Sequence, residues 1–534
     1  MTDNHMEPAL LAFLRDPASY PHRPREVAEV HTHASLVFVV PPFVYKIKKP
    51  VDFGFLDFST LGKRRHFCQR EVDLNRRLAP GVYLGVETIR RTASGYGFGG
   101  GGPVAEYAVK MRWLDPRDFL DARLKRGDAG KPELARVART LAAFYQKQPS
   151  PPEIAEWGTI AKLRLSTDEN FRQTRGFVGQ TLPQAAFDAI RAFTENRYQR
   201  LADLLEQRAA GGWIRDCHGD LHLDHIHITG DSLHIYDCIE FNDRFRHLDV
   251  ASDAAFLAMD LDYHDRPDLA GFFIHTLAEL MGDARMEELM DFYKCYRAYV
   301  RGKVESLRGI AEIASEGERA TAEAAAKRYF QLALRYAVAG SSPKAVVFMG
   351  RVASGKSTLA TALARELGWP VVSSDILRKS LAGVPPHARG DAADRAKLYA
   401  PEMTKRTYQA LIQTAARSLR QSRGLVLDAT FSKRGARDKL RAALGDDRLA
   451  WILVHADKAT TRDRLRARES RHDVVSDARP ADQAMLDAAF ESPDELPPGA
   501  LLGFSSGSSP TRSLHNLVTA LATHRDSAIA GASS

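Results

Sequence analysis

The sequence predicts two domains, an α+β domain followed by an α/β domain with a parallel sheet. A chain of 534 residues is longer than one hydrophobic core usually supports. Residues 1–115 alternate short apolar runs with turns and precede a long helical stretch, whereas from residue 345 onward apolar runs alternate with helices. The segment GSSP at 340–343 is typical of a linker. We therefore expect domains at 1–339 and 343–522 and a disordered tail at 523–534.

The first domain is predicted to have a β-rich front and a helical back. Strands are expected at 36–40, 43–49, 82–89 and 104–114, with a helix at 63–78. Helical periodicity covers about 130–210 and 248–338, and a short β-rich segment at 213–241 separates the two.

The second domain has the continuous apolar runs of strands that are buried on both faces. They lie at 345–349, 369–374, 424–430 and 450–456, and helical segments separate them. This alternation predicts a three-layer α/β/α domain in which helices cover both faces of a parallel sheet.

The segment GRVASGKST at 350–358, which we call the phosphate loop, follows the first of these strands and precedes a predicted helix. It fits G-x-x-x-x-G-K-[ST] in the strand–loop–helix context of a P-loop NTPase; a plain glycine turn is the alternative. Glycines let backbone N–H groups turn toward phosphate oxygens, and the helix directs its positive end at them. ATP and Mg²⁺ are the expected ligands. Candidate nucleotide-binding residues are Gly350, Ser354, Gly355, Lys356, Ser357 and Thr358, with Lys356 at the outer phosphates and Ser357 on Mg²⁺.

Polar residues follow the next two strands in a pattern that resembles kinases of the adenylate and gluconate kinase type, polynucleotide kinases and zeta-type toxins. The resemblance implies that Asp375 receives the proton of an acceptor hydroxyl, that Arg378 binds the acceptor's anionic group, and that Asp428 binds Mg²⁺. The D-A-T-F segment at 428–431 resembles the polynucleotide-kinase branch, and Arg434 after it is a further candidate for substrate binding. Alternatively, Asp375 is a helix N-cap.

Arginine is dense at 460–478, where Arg464 and Arg468 are four residues apart and so lie on one helix face. A lid that closes over ATP needs such guanidinium groups to stabilise the transferring phosphate and to exclude water. Arg468 is therefore a candidate catalytic residue. Ordinary solvated arginines are the alternative.

The β-rich segment contains HGDLHLDH at 218–225, and Asp237 follows 17 residues after Asp220, at the end of an apolar strand. Two carboxylates on neighbouring loops can act as proton acceptor and metal ligand. Oxygen ligands suit Mg²⁺, whereas a histidine cluster would suit zinc. The histidines concerned are those at 218, 222, 225, 227 and 234.

This pattern resembles the aminoglycoside phosphotransferase family, whose fold is similar to that of protein kinases. Over about 340 residues the resemblance implies a two-lobed fold in which Asp220 orients or deprotonates the acceptor hydroxyl and Asp237 binds Mg²⁺. It also implies that Lys46 contacts phosphates and pairs with Glu71. Where the family has a metal-binding Asn, this chain has His225. Whether this half is an active kinase or a pseudokinase stays open.

The net charge of +8 is unevenly distributed along the chain. From Pro343 onward there are 29 Lys and Arg residues but only 20 Asp and Glu residues. This suits an anionic partner such as nucleic acid, or a solvated basic surface. No apolar run approaches the roughly 20 residues of a membrane span, and no signal peptide is indicated, so we expect a cytoplasmic protein that does not enter a membrane. Its four cysteines form no C-x-x-C pair and are expected to be reduced thiols.

The whole chain resembles two-domain bacterial proteins that join an aminoglycoside phosphotransferase-like module to a P-loop kinase-like module. This implies ATP- and Mg²⁺-dependent phosphorylation of a hydroxyl, on an unidentified small molecule or a nucleic-acid end, by the C-terminal half, with the N-terminal half as a second kinase. In the alternative, the N-terminal half only binds substrate or regulates, and the C-terminal half is a 5′-hydroxyl polynucleotide kinase or a regulatory ATPase.

Overall fold

The structure, a computed structural model, describes residues 6–311, 315–342, 344–388, 391–421, 424–469, 475–476, 483–497, 499–507 and 509–524. It divides into two compact units. Unit 1 comprises Met1–Leu165 and Ala202–Tyr293, and unit 2 comprises Ser166–Leu201 and Lys294–Ser534.

The strands and α-helices have the following bounds. The strands are β1 (Ala28–His31), β2 (Ser35–Val40), β3 (Phe43–Lys48), β4 (Tyr83–Thr92), β5 (Gly95–Phe98), β6 (Val104–Arg112), β7 (Ile214–Asp216), β8 (Ile226–Thr229), β9 (Ser232–Ile235), β10 (His247–Asp249), β11 (Ala345–Met349), β12 (Val371–Ser373), β13 (Leu425–Asp428), β14 (Leu449–His455) and β15 (Leu501–Ser505). The helices are α1 (Pro8–Arg15), α2 (Leu61–Asn75), α3 (Leu120–Arg126), α4 (Lys131–Lys147), α5 (Pro152–Ala155), α6 (Ile160–Thr174), α7 (Gln184–Arg200), α8 (Ala202–Ala210), α9 (Val250–Tyr263), α10 (Pro267–Met281), α11 (Met290–Gly309), α12 (Glu316–Val338), α13 (Lys356–Leu367), α14 (Ser374–Leu381), α15 (Ala392–Leu398), α16 (Pro401–Arg420), α17 (Arg434–Leu444), α18 (Lys458–Glu469), α19 (Gln483–Ala488) and α20 (Pro510–His524).

The main sheet of unit 1 is antiparallel, with the strand order β1-β2-β3-β6-β4-β5. Successive side chains of a strand point to opposite faces, so β3 divides its residues between two environments. Tyr45 and Ile47 pack with Leu10 and Leu14 of α1 in one apolar cluster. Lys46 and Lys48 lie on the other face, where α2 supplies the carboxylate that both lysines contact.

Helix α9 holds the loop at 217–225 by two carboxylates that are seven residues apart and therefore on one helix face. The Asp253 carboxylate accepts hydrogen bonds from the backbone N–H groups of His218, at 3.0 Å, and Gly219, at 2.8 Å. Asp260 accepts one from Leu223 N at 2.9 Å. Gly219 has φ 87°, and a Cβ there would lie 2.6 Å from the Phe245 carbonyl oxygen, so the loop needs glycine at this position.

The sheet of unit 2 is parallel, and its described strands have the order β12-β13-β11-β14-β15. All residues of β11 are buried, as its continuous apolar run predicts. The chain turns to opposite sides of β11, which lies between β13 and β14, and loops after such a central strand open into a crevice. We call the part of unit 2 from β11 to α20 the P-loop domain.

The boundary between the two units does not coincide with the predicted linker at 340–343. Helix α20 packs on α7, and α12 packs on α13, so helices that precede the predicted linker belong to unit 2. Arg335 Nε of α12 donates to the Leu367 carbonyl at 2.5 Å, and Gln331 Nε2 donates to Arg365 O at 3.2 Å. The Leu367 carbonyl is one of the last four of α13, which have no N–H partner four residues ahead in the helix, and the Arg365 carbonyl accepts from Gln331 in addition to Gly368 N.

Three further expectations have an outcome. The four cysteines are free thiols, as predicted, and all four are buried. Thr523 was assigned to the tail but lies in α20, while residues 525–534 are outside the described part of the chain. Among the described helices, none combines the length and the apolar character that crossing a membrane would require.

We expect Asp253→Ala to destabilise unit 1, because it removes the acceptor of two buried N–H groups and of the Tyr145 hydroxyl. Leaving such donors unpaired costs roughly 2–4 kcal/mol in total. Urea unfolding of the full chain, followed by circular dichroism, measures the loss. Asp268→Ala is the control, because its ion pair with Arg266 is exposed and should be worth at most about 1 kcal/mol. Equal effects of the two substitutions would contradict this role of Asp253.

Candidate functional site

The phosphate loop turns tightly as it leaves β11. Gly350 has φ 140°, and a Cβ there would lie 2.4 Å from the Val454 carbonyl oxygen of β14. Ala353 and Gly355 also have positive φ, 60° and 93°. Left-handed residues alternating with right-handed ones direct backbone N–H groups into a common concavity, and α13 begins immediately afterwards at Lys356. The loop therefore has the shape and the helix terminus that bind phosphate.

An arginine supports this loop. Arg464 Nη1 of α18 donates to the Ala353 carbonyl at 3.3 Å and to Ser506 Oγ at 2.9 Å. Ser506 Oγ in turn donates to the Ser354 carbonyl at 2.5 Å. We interpreted Arg464 as a lid arginine, but its guanidinium is bound to the loop backbone, because α18 lies next to the segment that follows β15. The Arg468 side chain lies outside the described residues.

A cavity of about 760 Å³ opens beside the phosphate loop. Gly355, Lys356 and Ser357 line it, and Asp375 and Asp428 line it as well. Residues that are up to 73 positions apart in sequence thus meet in one cavity, because all follow the carboxyl ends of parallel strands. Its volume is in the range of small-ligand sites, roughly 300–1,000 Å³.

The register of the parallel strands places Asp428 beside the end of β11, where the phosphate loop begins. It is paired with Phe348 of β11 on one side and with Ser373 of β12 on the other, and its side chain is buried at the cavity wall. The Ser357 hydroxyl and the Asp428 carboxylate are hard oxygen donors, the type that Mg²⁺ prefers. The residues present therefore fit the ion that the sequence predicts.

Asp375 is not the cap of its helix. Ser373 occupies the N-cap position of α14, and Asp375 lies in the first turn with its side chain half-buried at the cavity. The N-cap interpretation is therefore wrong. A carboxylate in this place can accept a proton from a group bound in the cavity.

The two arginines predicted to bind substrate lie in different surroundings. Arg378 lines the cavity but is buried, and its Nη1 donates to the Leu398 carbonyl and to Thr404 Oγ1, both at 2.9 Å. Arg434 is exposed, with Nε 3.5 Å from the Asp438 carboxylate, and is not among the residues that line the cavity. Only Arg378 is brought to the site, where it also fixes the wall between α15 and α16.

Sequence reasoning missed part of the cavity wall. Lys405 and Tyr408 of α16 line it, together with Lys433 and Lys439 near α17. Tyr408 OH accepts a hydrogen bond from Phe431 N at 3.1 Å, and burial raises the pKa of Tyr408. Thr404, Tyr408 and Ile412 are spaced by four along α16, a helical stripe that could have been found in the sequence.

Unit 1 contains the second predicted cluster, and the predicted ion pair is confirmed. Lys46 Nζ lies 2.9 Å from Glu71 Oε1 and 2.7 Å from Asp237 Oδ1. Burial would raise the pKa of the Asp237 carboxyl, but the Lys46 ammonium holds it well below its usual range. Asp237 is therefore ionised at neutral pH.

A second lysine was not predicted. Lys48 is buried, with Nζ 2.7 Å from Glu71 Oε2 and in contact with Glu240, so two lysines and three carboxylates form one network. Burial would lower the pKa of the Lys48 ammonium, but Glu240 and Glu71 raise it. The spacing of Lys46 and Lys48, two residues apart on one strand, was the signal that could have found it.

His225 lies between Asp220 and Asp237. Its Nδ1 donates to the Asp220 backbone carbonyl at 2.8 Å, and its Nε2 lies 3.6 Å from Asp237 Oδ2. Burial lowers the pKa of His225 to about 3, so its ring is neutral at pH 7. The His222 ring packs 3.8 Å from that of His225, with Nε2 3.5 Å from Asp220 Oδ2. The two carboxylates predicted from the sequence are thus joined by histidines.

Comparison with known proteins gives three kinds of similarity. The AAA_33 family, described as an AAA domain, matches residues 346–493. "Uncharacterized protein Rv2004c" of Mycobacterium tuberculosis (strain ATCC 25618 / H37Rv) is 30% identical over 425 residues, which are 79% of this chain and 82% of the relative. "Uncharacterized protein Mb2027c" of Mycobacterium bovis has the same identity and coverage.

Solved structures also align with parts of the chain. A gluconokinase from Sinorhizobium meliloti 1021 is 20% identical and covers 36% of this chain and 98% of its own, with a TM-score of 0.25. A choline/ethanolamine kinase family protein from Mesorhizobium loti is 13% identical and covers 61% of this chain and 99% of its own, with a TM-score of 0.36.

We expect Gly350→Ala to weaken binding of ATP·Mg²⁺, because the added Cβ would collide with the Val454 carbonyl and open the turn. Strain of about 1–3 kcal/mol corresponds to roughly tenfold to hundredfold weaker binding, which isothermal titration calorimetry measures. Gly383→Ala is the matched control, because Gly383 also has positive φ, 70°, but has open space around it. An unchanged affinity in Gly350→Ala would refute this account of the turn.

Proposed function

The chain belongs to the family of Rv2004c of Mycobacterium tuberculosis, and from this premise we propose that its P-loop domain transfers the γ-phosphoryl group of ATP to a hydroxyl group. The observation that carries the proposal is the single cavity that Lys356, Ser357, Asp375 and Asp428 share. It contains a phosphate-binding loop, two oxygen donors for Mg²⁺, and a separate carboxylate for an acceptor.

The nucleotide is bound by the phosphate loop. Backbone N–H groups surround the phosphates, and the Lys356 ammonium neutralises charge on the outer ones. Ser357 and Asp428 would hold Mg²⁺, which supplies further neutralisation of the charge that develops on the transferring phosphoryl group. Arg468, on the last turn of α18, is proposed to stabilise the same charge.

Asp375 is proposed as the base. Its carboxylate takes the proton of the acceptor hydroxyl as the oxygen forms a bond to the γ-phosphorus. The bond from that phosphorus to the bridging oxygen breaks, and ADP leaves with the electron pair. Arg378 is proposed to bind the acceptor from the wall that its hydrogen bonds fix.

We expect Lys356→Ala to abolish transfer of label from ATP to the acceptor, because the phosphates lose their ammonium partner. Asp375→Asn should leave ATP binding intact and lower kcat by roughly 10²–10⁴-fold, the usual contribution of a general base. Radiolabelled ATP with a panel of sugars, aminoglycosides, nucleosides and 5′-hydroxyl oligonucleotides gives the readout. Lys458→Ala, which removes a lysine of the same domain away from the cavity, is the control. Transfer of label from ATP to the acceptor at the wild-type rate by Lys356→Ala would contradict the proposal.

The panel also separates the acceptor classes. If the acceptor is a nucleic-acid end, binding should fall steeply with salt, because phosphate contacts release counterions. A small-molecule acceptor would not give that slope. The excess of basic residues in the P-loop half does not by itself favour a nucleic acid or a small molecule as the acceptor. Lysines such as Lys433 are partly neutralised by carboxylates such as Glu491.

Unit 1 is proposed as a second phosphotransferase, and one observation favours this. Lys46, Glu71 and Asp237 form a chain of contacts, and Asp220 lies on the other side of His225 from Asp237. Asp220 is proposed as the base, Lys46 and Glu71 as nucleotide-binding residues, and Asp237 as a metal ligand.

We expect Asp220→Asn to remove a product that Lys356→Ala leaves unaffected, because the two substitutions disable different units. Chromatography of the labelled panel identifies that product. Asp231→Asn, in the exposed turn of the β8–β9 hairpin, should change nothing. Identical products from Asp220→Asn and the unaltered chain would favour the alternative that unit 1 binds substrate without chemistry.

A further inference from the structure

The cavity beside the phosphate loop extends beyond the groups that the proposed transfer uses. Thr404, Tyr408 and Ile412 of α16 line it. Their spacing of four residues places them on one helix face, as a stripe about 12 Å long. Thr404 lies next to α14, because its Oγ1 accepts a hydrogen bond from Arg378 Nη1 at 2.9 Å. From there the wall changes from a hydroxyl to a ring and then to an alkyl side chain, so it becomes apolar along the helix.

The polar atoms of this wall have hydrogen-bond partners within it. Besides the Thr404 hydroxyl, the Thr430 hydroxyl lies 3.3 Å from Tyr408 OH, which also accepts a hydrogen bond from Phe431 N at 3.1 Å. These bonds hold the hydroxyl end of Tyr408 at the strand end after β13. A ligand that extends along α16 therefore contacts a ring and an alkyl side chain.

Two exposed apolar side chains line the same cavity. Tyr399 is 42% exposed and Met485 is 67% exposed, which is high for large apolar residues. Exposed apolar area that lines a cavity is typical of a ligand site, because an apolar ligand group removes both surfaces from water. The methionine side chain is flexible and polarisable, so it adapts to an aromatic ring. The wall of α16 thus continues into apolar area that a ligand can cover.

Tyr399 is held at the cavity by the arginine beneath it. Arg378 Nη1 donates to the carbonyl of Leu398, the residue before Tyr399, at 2.9 Å. Its guanidinium carbon lies 4.6 Å from the centre of the Tyr399 ring, a cation–π contact. The ring is therefore placed by two contacts of one buried side chain.

Met485 is held at the cavity by an ion pair with the phosphate loop. Arg351 Nη1, in that loop, lies 3.7 Å from Asp487 Oδ1, two residues after Met485 in α19. Leu486 of the same helix also lines the cavity. Helix α19 thus brings two apolar side chains next to the loop that binds phosphate.

The lysines that line the cavity do not form an equally fixed site for a second anion. Lys433 Nζ lies 3.0 Å from Glu491 Oε1, and the other oxygen of that carboxylate accepts a hydrogen bond from Arg434 N at 2.7 Å. Lys405 and Lys439 are exposed. Such lysines keep the ammonium in water and contribute their alkyl stems to an apolar surface.

We propose that the acceptor of the P-loop domain carries a flat aromatic ring next to its hydroxyl group, as an aryl alcohol or a nucleoside does. The ring lies against Tyr399, Tyr408 and Met485, while the hydroxyl is directed to Asp375. This inference rests on the proposed transfer and narrows its acceptor from any hydroxyl compound to one with a ring. Aryl alcohols and nucleosides share this chemistry, and the experiment distinguishes them.

The test measures binding without phosphoryl transfer. The full chain, saturated with ADP and Mg²⁺, is titrated with 2-naphthaleneethanol, a fluorescent alcohol whose emission anisotropy rises on binding. We expect one saturable site per chain. Met485→Ser and Tyr399→Ser should each weaken binding by roughly 3–30-fold, because each removes apolar area that the ring covers. Ile376→Ser is the matched control, because Ile376 is 45% exposed in the same domain but is not among the residues that line the cavity.

Competition against 2-naphthaleneethanol identifies the source of the ring. Uridine is compared with ribose, and 2-phenylethanol with ethanol, so that the members of each pair share the part that carries the hydroxyl. The member with a ring should compete at least about tenfold better. Stronger competition by uridine than by 2-phenylethanol assigns a nucleoside, and the reverse order assigns an aryl alcohol.

The outcomes decide the inference and the proposed transfer separately. Weaker binding in Met485→Ser and Tyr399→Ser but not in Ile376→Ser, with unchanged circular dichroism, supports the ring site. Absence of saturable binding, equal binding in all four chains, or stronger competition by gluconate, an anion without a ring, overturns it. If Tyr399→Ser does not fold, Met485→Ser is scored by the same rule. A chain that binds these alcohols and phosphorylates none of them contradicts the proposed transfer and leaves the ring site standing.

Discussion

The turn that the chain makes immediately after β11 is the constraint on which the P-loop domain depends. The Val454 carbonyl oxygen of the neighbouring strand leaves no room for a side chain at Gly350, so the backbone alone occupies that place. Because β11 lies between β13 and β14, the same turn opens beside Asp428 and below the first turn of α14. A sheet with another strand order would separate the phosphate loop from the groups that work with it.

Unit 1 depends on a different kind of interaction, a buried network of opposite charges. Lys46 and Lys48 share Glu71, and Asp237 and Glu240 complete the set. Removing charges from water is unfavourable, and pairing recovers only part of that cost, so such a network is poor evidence for stability. Its effect is orientation, since each charged group has a fixed partner and Asp237 is left with one oxygen toward His225.

Much of both sites could be predicted from the sequence where the signal was local. The phosphate loop and the strand before it follow from a short motif with a known spacing, and the Lys46–Glu71 pair follows from the family resemblance. The role of Arg464 could not be predicted, because its partner Ser506 is 42 residues away and nothing in the intervening sequence indicates the contact. Arg434 and Arg437 show the same limit: the first is exposed, while the second is buried and bonded to the Phe431 carbonyl at 2.8 Å. The strand β15 was missed because it is a half-exposed edge strand with little apolar contrast.

The contact of α12 with the end of α13 bears on how the chain can be divided. Gly368, which ends α13, is so close to α12 that a Cβ would lie 2.5 Å from Gln331 Oε1. Together with α7, on which α20 packs, α12 forms a supporting wall for the nucleotide-binding domain, although both helices precede the apparent linker in sequence. A fragment that starts at residue 343 would therefore expose apolar helix faces. It would also lose the α12 side chains that donate hydrogen bonds to the carbonyls at the end of α13. The GSSP segment resembles a hinge between independent modules, yet the helices on both sides of it belong to one compact unit.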